Sequence, residues 1–185
     1  MRKSTSHGTL AAMSRPHAFL FASVAIFTIG CDHATKIAAT TWLDPGTVLW
    51  LAAGWVRLEL VQNAGAFMSL GAALPDSIRM PLLLGLVPLL ILAASLLALR
   101  ESASRSRFVL AAALLAGGGV ANWLDRLAHH GLVTDFVSIG WGPLHTGIFN
   151  VADLAVVGGA LLLFAGSRRT SPRLPQQAEP RRLRR

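Results

Sequence analysis

Charged residues are scarce in this sequence. They make up 14% of its 185 residues, whereas hydrophobic residues make up 53%, and the mean hydropathy is +0.53. Soluble domains of ordinary composition contain about 25% charged residues. The composition therefore excludes an ordinary soluble domain and favours a small polytopic membrane protein.

Cysteine is almost absent, and internal repeats are lacking. The single cysteine, Cys31, excludes an intrachain disulfide framework and a metal site made of cysteines. No sequence feature places a base beside Cys31, which disfavours a thiol nucleophile. No segment of about 20–50 residues recurs, so the signature of a repeat protein is missing.

Acidic residues are outnumbered by basic ones, 9 against 17, which gives a net charge of +8. A basic tail could bind nucleic acid, but no aromatic residues interleave with these arginines. We therefore predict no nucleic-acid partner and interpret the basic ends as cytoplasmic topology determinants that touch anionic membrane lipid. The basic residues at the two ends are Arg2, Lys3, Arg15, Arg168, Arg169, Arg173, Arg181, Arg182, Arg184 and Arg185.

Four stretches without charge are comparable to the roughly 20 residues that cross a bilayer as a helix. They cover residues 16–31, 80–99, 108–124 and roughly 136–166, the last interrupted by Asp153. We therefore predict an all-α polytopic membrane protein with four transmembrane helices. Basic residues lie before the first span, between the second and third, and after the fourth, so the positive-inside rule places both termini in the cytoplasm.

The predicted chain has three parts. Residues 1–15 form a cytoplasmic N-terminal segment, and 16–167 form the four-helix membrane domain. Residues 168–185 form a disordered basic tail, because they are too rich in Pro, Gln and Arg to bury a core.

Two segments of the membrane domain, 43–77 and 125–148, are expected to face outward, on the periplasmic side. In the first of them, Arg57 and Glu59 alternate with apolar neighbours, as in a half-buried strand. We therefore expect a small extramembrane β element there.

Acid and amide side chains recur in short motifs flanked by apolar residues, all near the outward edge of the predicted bundle. Ionisable groups at membrane depth cost several kcal/mol unless they are paired or hydrated, so such a cluster is a functional-site hypothesis. The motifs are Cys31-Asp32-His33-Ala34-Thr35-Lys36, Asn63-Ala64-Gly65-Ala66-Phe67, Asn122-Trp123-Leu124-Asp125-Arg126, Val133-Thr134-Asp135-Phe136 and Phe149-Asn150-Val151-Ala152-Asp153.

These motifs, in this order, resemble those of signal peptidase II, the lipoprotein signal peptidase family of bacterial membranes. The resemblance runs from the first span to the fourth. Three departures are His33 where the family usually has Gln, Ala121 where it has Gly, and a motif at 63–67 that is one Ala shorter. We expect these departures to affect how substrate or inhibitor binds more than which reaction is catalysed.

The resemblance implies an aspartyl endopeptidase of the bacterial inner membrane that needs no metal or cofactor. It implies that the enzyme cuts diacylglyceryl-modified prolipoproteins just before the lipid-modified cysteine, near the periplasmic face, and that globomycin inhibits it. The family's catalytic aspartates correspond to Asp135 and Asp153. Two close carboxylates cannot both ionise cheaply, so one keeps a proton while the other activates a water.

Asp125 competes with Asp135 for a place in this pair. Arg126 follows Asp125 directly and Asn122 stands one helical turn before it, which favours an ionised, hydrogen-bonded role at a helix end. The residues expected to hold substrate or support the site are Asp32, Lys36, Asn63, Gly65, Asn122, Asp125, Arg126 and Asn150.

Each supporting residue also has a simpler interpretation. Asn122 and Asn150 suit helix caps, and Asn63 with Gly65 suits a plain turn. Asp32 and Lys36 have the i, i+4 spacing of an intrahelical ion pair. The side chain of Arg126 could reach either a lipid phosphate or carbonyl groups of the substrate.

Three other functions fit parts of the sequence. His129, His130 and His145 lie near Asp125 and Asp135 and could form a zinc site, although they lack the i, i+4 spacing of helical metalloproteases. Intramembrane acids also mark proton-coupled carriers, which usually show repeated halves. Finally, the segment 28–31 weakly resembles a lipoprotein processing site, so the chain could itself be a lipoprotein processed at Cys31.

Overall fold

A computed structural model describes residues 14–66, 69–102 and 106–167. The predicted disordered tail at 168–185 and nearly all of the predicted N-terminal segment lie outside the described residues. Phe67, the last residue of its motif, lies outside them as well.

Helices form most of the described structure. Three are long and apolar enough to cross a membrane, namely Arg15–Trp42, Asp76–Leu99 and Ser106–Ala128, and a further apolar helix is shorter. The chain is thus a multi-pass membrane protein. The elements are α1 (Arg15–Trp42), α2 (Asp76–Pro81), a π-helical turn (Leu82–Leu86), α3 (Val87–Ser102), α4 (Ser106–Ala128) and α5 (Val151–Ser167).

Helix α4 is the centre of the bundle, because α1, α3 and α5 all pack against it. Three consecutive glycines permit this. A Cβ on Gly117 would lie 3.0 Å from the Ala25 carbonyl oxygen of α1, and one on Gly118 would lie 2.5 Å from the Ala152 carbonyl oxygen at the start of α5. A Cβ on Gly119 would meet a side chain of α3. Successive residues point in different directions around a helix, so each glycine admits a different neighbour.

The π-helical turn before α3 has a local cause. Pro88 has no N–H, so the Leu84 carbonyl four residues earlier lacks its α-helical donor. The indole Nε1 of Trp123 on α4 donates to that carbonyl oxygen at 3.1 Å. The hydrogen bond therefore fastens the irregular turn to α4.

The described strands form one antiparallel sheet in the order β1 (Leu49–Leu51), β2 (Val56–Asn63), β3 (Val133–Trp141) and β4 (Leu144–His145). The strand predicted around Arg57 and Glu59 is confirmed as β2. The other three strands were not predicted.

Strand β3 corrects the prediction of a span over 136–166. Residues 136–141 pair with β2, with Val56 opposite Ile139 and Asn63 opposite Val133, and α5 begins only at Val151. The part of β3 after Asp135, residues 136–141, is uncharged and half buried, and hydropathy alone does not distinguish such a stretch from a helix. The fold is thus mostly helical with a four-stranded sheet, rather than all-α.

Candidate active site

Asp135 lies on β3, and its side chain is 1% exposed in a fully hydrogen-bonded setting. Its Oδ1 accepts a hydrogen bond from Asn150 Nδ2 at 2.7 Å, and its Oδ2 accepts one from Asn63 Nδ2 at 2.8 Å. Asn63 ends β2, and the β2–β3 pairing brings it beside Asp135. The sheet therefore positions one carboxylate between two amides.

Asp153 lies in the first turn of α5, where Asn150 caps the helix. Asn150 Oδ1 accepts the hydrogen bond of the Asp153 backbone N–H at 2.9 Å. The Oδ1 of Asp153 accepts from Asn122 Nδ2 at 2.9 Å, and no described residue donates to its Oδ2. One carboxylate oxygen of Asp153 is thus fixed by a hydrogen bond, and the other could accept one from water or substrate.

Two amides connect the two carboxylates. Asn150 Nδ2 donates to Asn122 Oδ1 at 3.0 Å as well as to Asp135, while Asn122 donates to Asp153. Asp135 and Asp153 are therefore neighbours joined through a fixed pair of side chains. Asn150 is both a cap and a site residue, whereas Asn122 lies inside α4 and caps no helix.

A buried ion cluster supports this bridge from α1. Lys36 Nζ lies 2.8 Å from Asp32 Oδ2, 3.0 Å from Asp125 Oδ2 and 3.1 Å from Asn122 Oδ1. The predicted Asp32–Lys36 pair is thus confirmed, with further partners. Because Lys36 donates to the Asn122 oxygen, the Asn122 amide group is left to face Asp153.

Asp125 is committed to this cluster. Its Oδ2 also accepts the Thr134 backbone N–H at 2.7 Å, and its Oδ1 lies 2.7 Å from His129 Nδ1. These contacts join the end of α4 to β3, immediately before Asp135. Asp125 therefore has several structural partners.

Arg126 is buried and binds backbone carbonyls of the protein. Its Nη2 donates to the Gly65 oxygen at 2.8 Å, and its Nη1 donates to the Asn122 oxygen at 3.3 Å. In this structure its partners are thus carbonyl groups of the protein itself. Arg126 ties the loop after β2 to α4.

The loop after β2 is a turn in contact with the site. The Gly65 N–H donates to Asn63 Oδ1 at 2.8 Å, which leaves the Asn63 amide group free to donate to Asp135. A Cβ on Gly65 would lie 2.5 Å from the Ser69 carbonyl carbon. Both interpretations of the Asn63–Gly65 pair, a turn and a site element, therefore hold together.

Burial raises the pKa of Asp135 to about 6. The negative charge of Asp153 also raises this pKa, whereas the hydrogen bonds from Asn63 and Asn150 and the charge of Lys36 lower it. Asp135 therefore holds a proton at a pH well above that of an ordinary aspartate. A carboxylate pair that shares a proton suits acid–base chemistry on a bound water.

A cleft of about 310 Å³ runs between α3, α4 and α5 and ends at this site. Its polar end is formed by Asn122, Arg126 and Asp153, and the rest is apolar. An apolar segment in the cleft would therefore meet Asp153 at one end, and the amide bridge joins Asp153 to Asp135. The apolar lining includes Ala66, Leu83, Val87, Pro88, Ile91, Val156, Val157 and Ala160.

The alternative sites of the sequence analysis are dispersed. His129 pairs with Asp125, while His145 lies against Trp50 in the sheet with a ring-centroid distance of 5.2 Å. Among the residues that the structure describes, no three His, Cys, Asp or Glu side chains gather as a possible metal site. Cys31 lies within α1, which continues without interruption to Trp42.

All ten residues predicted for the site or its support lie in one connected network. Sequence reasoning missed two contributors. Thr134 bridges to Asp125, and the Ala152 backbone N–H donates to Asp32 Oδ1 at 2.8 Å. Both residues stand in the motifs of the sequence analysis, but both contribute backbone N–H groups, which carry no signal in the sequence.

Comparison with known proteins gives consistent results. Residues 24–168 match the family model described as signal peptidase (SPase) II. A lipoprotein signal peptidase of Rhodococcus jostii is 35% identical over 78% of this chain and 69% of its own length, and one of Gloeobacter violaceus is 35% identical over 84% and 86%. A solved structure described as a bacterial membrane enzyme has a TM-score of 0.68 at 22% identity, covering 86% of this chain and 94% of its own, and so shares the fold.

Proposed function

The chain belongs to the signal peptidase II family, and we propose that Asp135 and Asp153 are the catalytic pair with which it acts. The protein is an aspartic-type membrane peptidase that removes signal peptides from prolipoproteins. The observation that supports the assignment of the pair is the amide bridge through Asn150 and Asn122, which joins Asp135 to Asp153 at the polar end of an apolar cleft that Asp153 lines.

In the proposed reaction the pair holds one proton and one water. The ionised aspartate takes a proton from the water as it attacks the scissile carbonyl, and the protonated aspartate donates to the developing oxyanion. The aspartate that took the proton from the water then gives it to the amine nitrogen as the C–N bond breaks, and the other aspartate recovers a proton from a hydroxyl group of the collapsing intermediate. The carboxylates titrate as a coupled pair, so their protons belong to the pair rather than to one residue.

The choice of Asp135 over Asp125 rests on their contacts. Asp125 is engaged by Lys36, Thr134 and His129, which uses both of its oxygens in structural contacts. Asp135 is held by amide donors alone and feels the charge of Asp153 directly.

The substrate is proposed to be a diacylglyceryl-modified prolipoprotein, cut just before its lipid-modified cysteine. The apolar cleft suits an apolar signal segment that arrives from the bilayer. Asn63, Gly65 and Arg126 form the loop contact beside the site and would position the peptide backbone at the carboxylates. Globomycin would occupy the same cleft.

The proposed location is the bacterial inner membrane, with both termini in the cytoplasm and the site near the periplasmic face. The support is the basic character of the chain ends and of the segment between the second and third predicted spans. A fourth crossing by α5, which is apolar but shorter than the other three, completes this topology.

Cleavage of a lipid-modified precursor by the purified protein tests the assignment. Asp135→Asn and Asp153→Asn should each lower kcat by roughly a thousandfold or more, as loss of a group that acts in a unit does. Asp125→Asn should keep measurable turnover once the fraction of folded protein is normalised. Full activity of Asp135→Asn beside an inactive, folded Asp125→Asn would reverse the assignment, and activity should persist in a chelator.

A further inference from the structure

A second apolar groove runs along the seam between α3 and α4. Its volume is about 330 Å³. The π-helical turn and α3 contribute Gly85, Leu89 and Leu92 to its walls, and α4 contributes Ala116 and Val120. No charged side chain lines it. The groove is therefore suited to a hydrocarbon chain rather than to a peptide with polar groups to satisfy.

The groove lies beside the catalytic cleft. Pro88, Ile91, Gly119 and Trp123 line both spaces, so one layer of residues separates them. The cleft contains Asp153, whereas the groove does not. Two apolar spaces thus lie side by side, and one of them reaches the proposed catalytic pair.

We propose that the α3–α4 groove binds one fatty acyl chain of the lipid-modified substrate while the signal segment lies in the cleft. This inference rests on the proposed function, because a diacylglyceryl cysteine places acyl chains next to the scissile bond. Such a substrate has three apolar parts near the scissile bond, the signal segment and two acyl chains, and a single cleft would not hold all of them. Two adjacent apolar spaces, one for the signal segment and one for an acyl chain, match that chemistry.

The groove would prefer a bound acyl chain because of its shape and not because it is apolar. In a bilayer the alternative surroundings of an acyl chain are equally apolar, so packing in a shaped groove decides the preference. A chain held there would orient the glyceryl group and hence the scissile bond. Displacement of the chain should therefore slow cleavage, since small misplacements of a substrate cost large factors in rate.

Gly85 offers a way to fill the groove without disturbing the fold. A Cβ at this position would meet no atom within 4 Å, and the residue lines the groove but not the cleft. Gly30 on α1 is a matched control. A Cβ there also meets no atom within 4 Å, and Gly30 lines a different groove, between α1 and α4.

The experiment compares wild type, Gly85→Leu and Gly30→Leu on two precursors with the same peptide. One carries two palmitoyl chains and the other carries two butyryl chains. Gly85→Leu should lower kcat/KM for the palmitoyl precursor by roughly tenfold and leave the butyryl precursor within about twofold. Gly30→Leu fills a groove that Asp32, Lys36 and Asp125 also line, so any effect it has should be equal on the two precursors. Equal effects of Gly85→Leu on the two precursors, or no effect on either, would overturn the proposal.

Two further measurements keep the test decisive. Val120→Phe fills the same groove from α4, where Val120 is 41% exposed, and should reproduce the chain-length effect if Gly85→Leu does not fold. A palmitoyl precursor with a diazirine near the chain end should label the segments 84–92 and 116–123. Equal labelling by a phospholipid with the same diazirine would show an ordinary lipid site and refute a substrate site.

Failure of this inference differs from failure of the proposed function. If wild-type protein cleaves neither precursor, the proposed function fails. If it cleaves both and neither groove variant discriminates chain length, the function stands and the groove assignment is wrong.

Discussion

Asn150 donates a 2.7 Å hydrogen bond to Asp135 while its own side-chain oxygen caps the helix that carries Asp153. The side chain of Asn150 therefore fixes the position of Asp135 on the sheet relative to Asp153 on α5. The two acids belong to different kinds of element, and their separation depends on this residue and on Asn122. The pair is thus pre-organised before substrate arrives.

The pH profile of cleavage should show an alkaline limb set by loss of the shared proton. Burial raises the pKa of Asp135 to about 6, so the pair keeps its proton below that pH and loses it above. Asn63→Ala removes a hydrogen bond that favours the ionised form. The pKa should therefore rise, and the limb should move to higher pH. The measurement is kcat/KM between about pH 4 and 9.

Gln62→Ala is the control for that profile. Gln62 precedes Asn63 but donates to Thr134 Oγ1 rather than to Asp135. The alkaline limb of the pH profile of Gln62→Ala should therefore coincide with that of the wild type. A limb that stays in place in Asn63→Ala, or moves to lower pH, contradicts the role of this hydrogen bond.

Lys36→Met should destabilise the protein by about 3–5 kcal/mol. The substitution leaves Asp32 and Asp125 buried without their shared cation. Cleavage should fall as well, because the Asn122 oxygen loses its donor. Thermal unfolding in detergent measures the first effect.

An ion pair with an exposed member provides the comparison for Lys36. Asp76, whose side chain is 79% exposed, pairs with Arg79, so Asp76→Asn should cost about 1 kcal/mol or less. Similar midpoints for the two variants would show that the Lys36 cluster contributes no more than a surface pair.

Gly65→Ala should reduce cleavage strongly with a smaller loss of stability. The added methyl group would lie 2.6 Å from the Leu70 carbonyl oxygen, which forces the loop to move and takes Asn63 away from Asp135. Gly158→Ala is the matched control, since a Cβ there meets no atom within 4 Å. A fully active Gly65→Ala enzyme would show that loop position is unimportant for turnover.

More of the candidate site than of the fold could be predicted from the sequence. Asp32 and Lys36 could be paired from their spacing alone, and the motif order selected Asp135 and Asp153, two residues that the fold brings close together. The sheet was largely missed, because residues 136–141 of β3 form an uncharged run that resembles a membrane helix in hydropathy. Its true state depends on pairing with β2, some 70 residues away in the chain, such as Asn63 opposite Val133. Local patterns contain no record of that long-range pairing.

The link from Asp32 on α1 to the backbone of Ala152 joins the first described helix to the first turn of the last one. Every other part of the bundle lies between them in the chain. A chain that stops before α5 would therefore lack both this anchor for Asp32 and Asp153 itself, and we expect such a chain to have no peptidase activity.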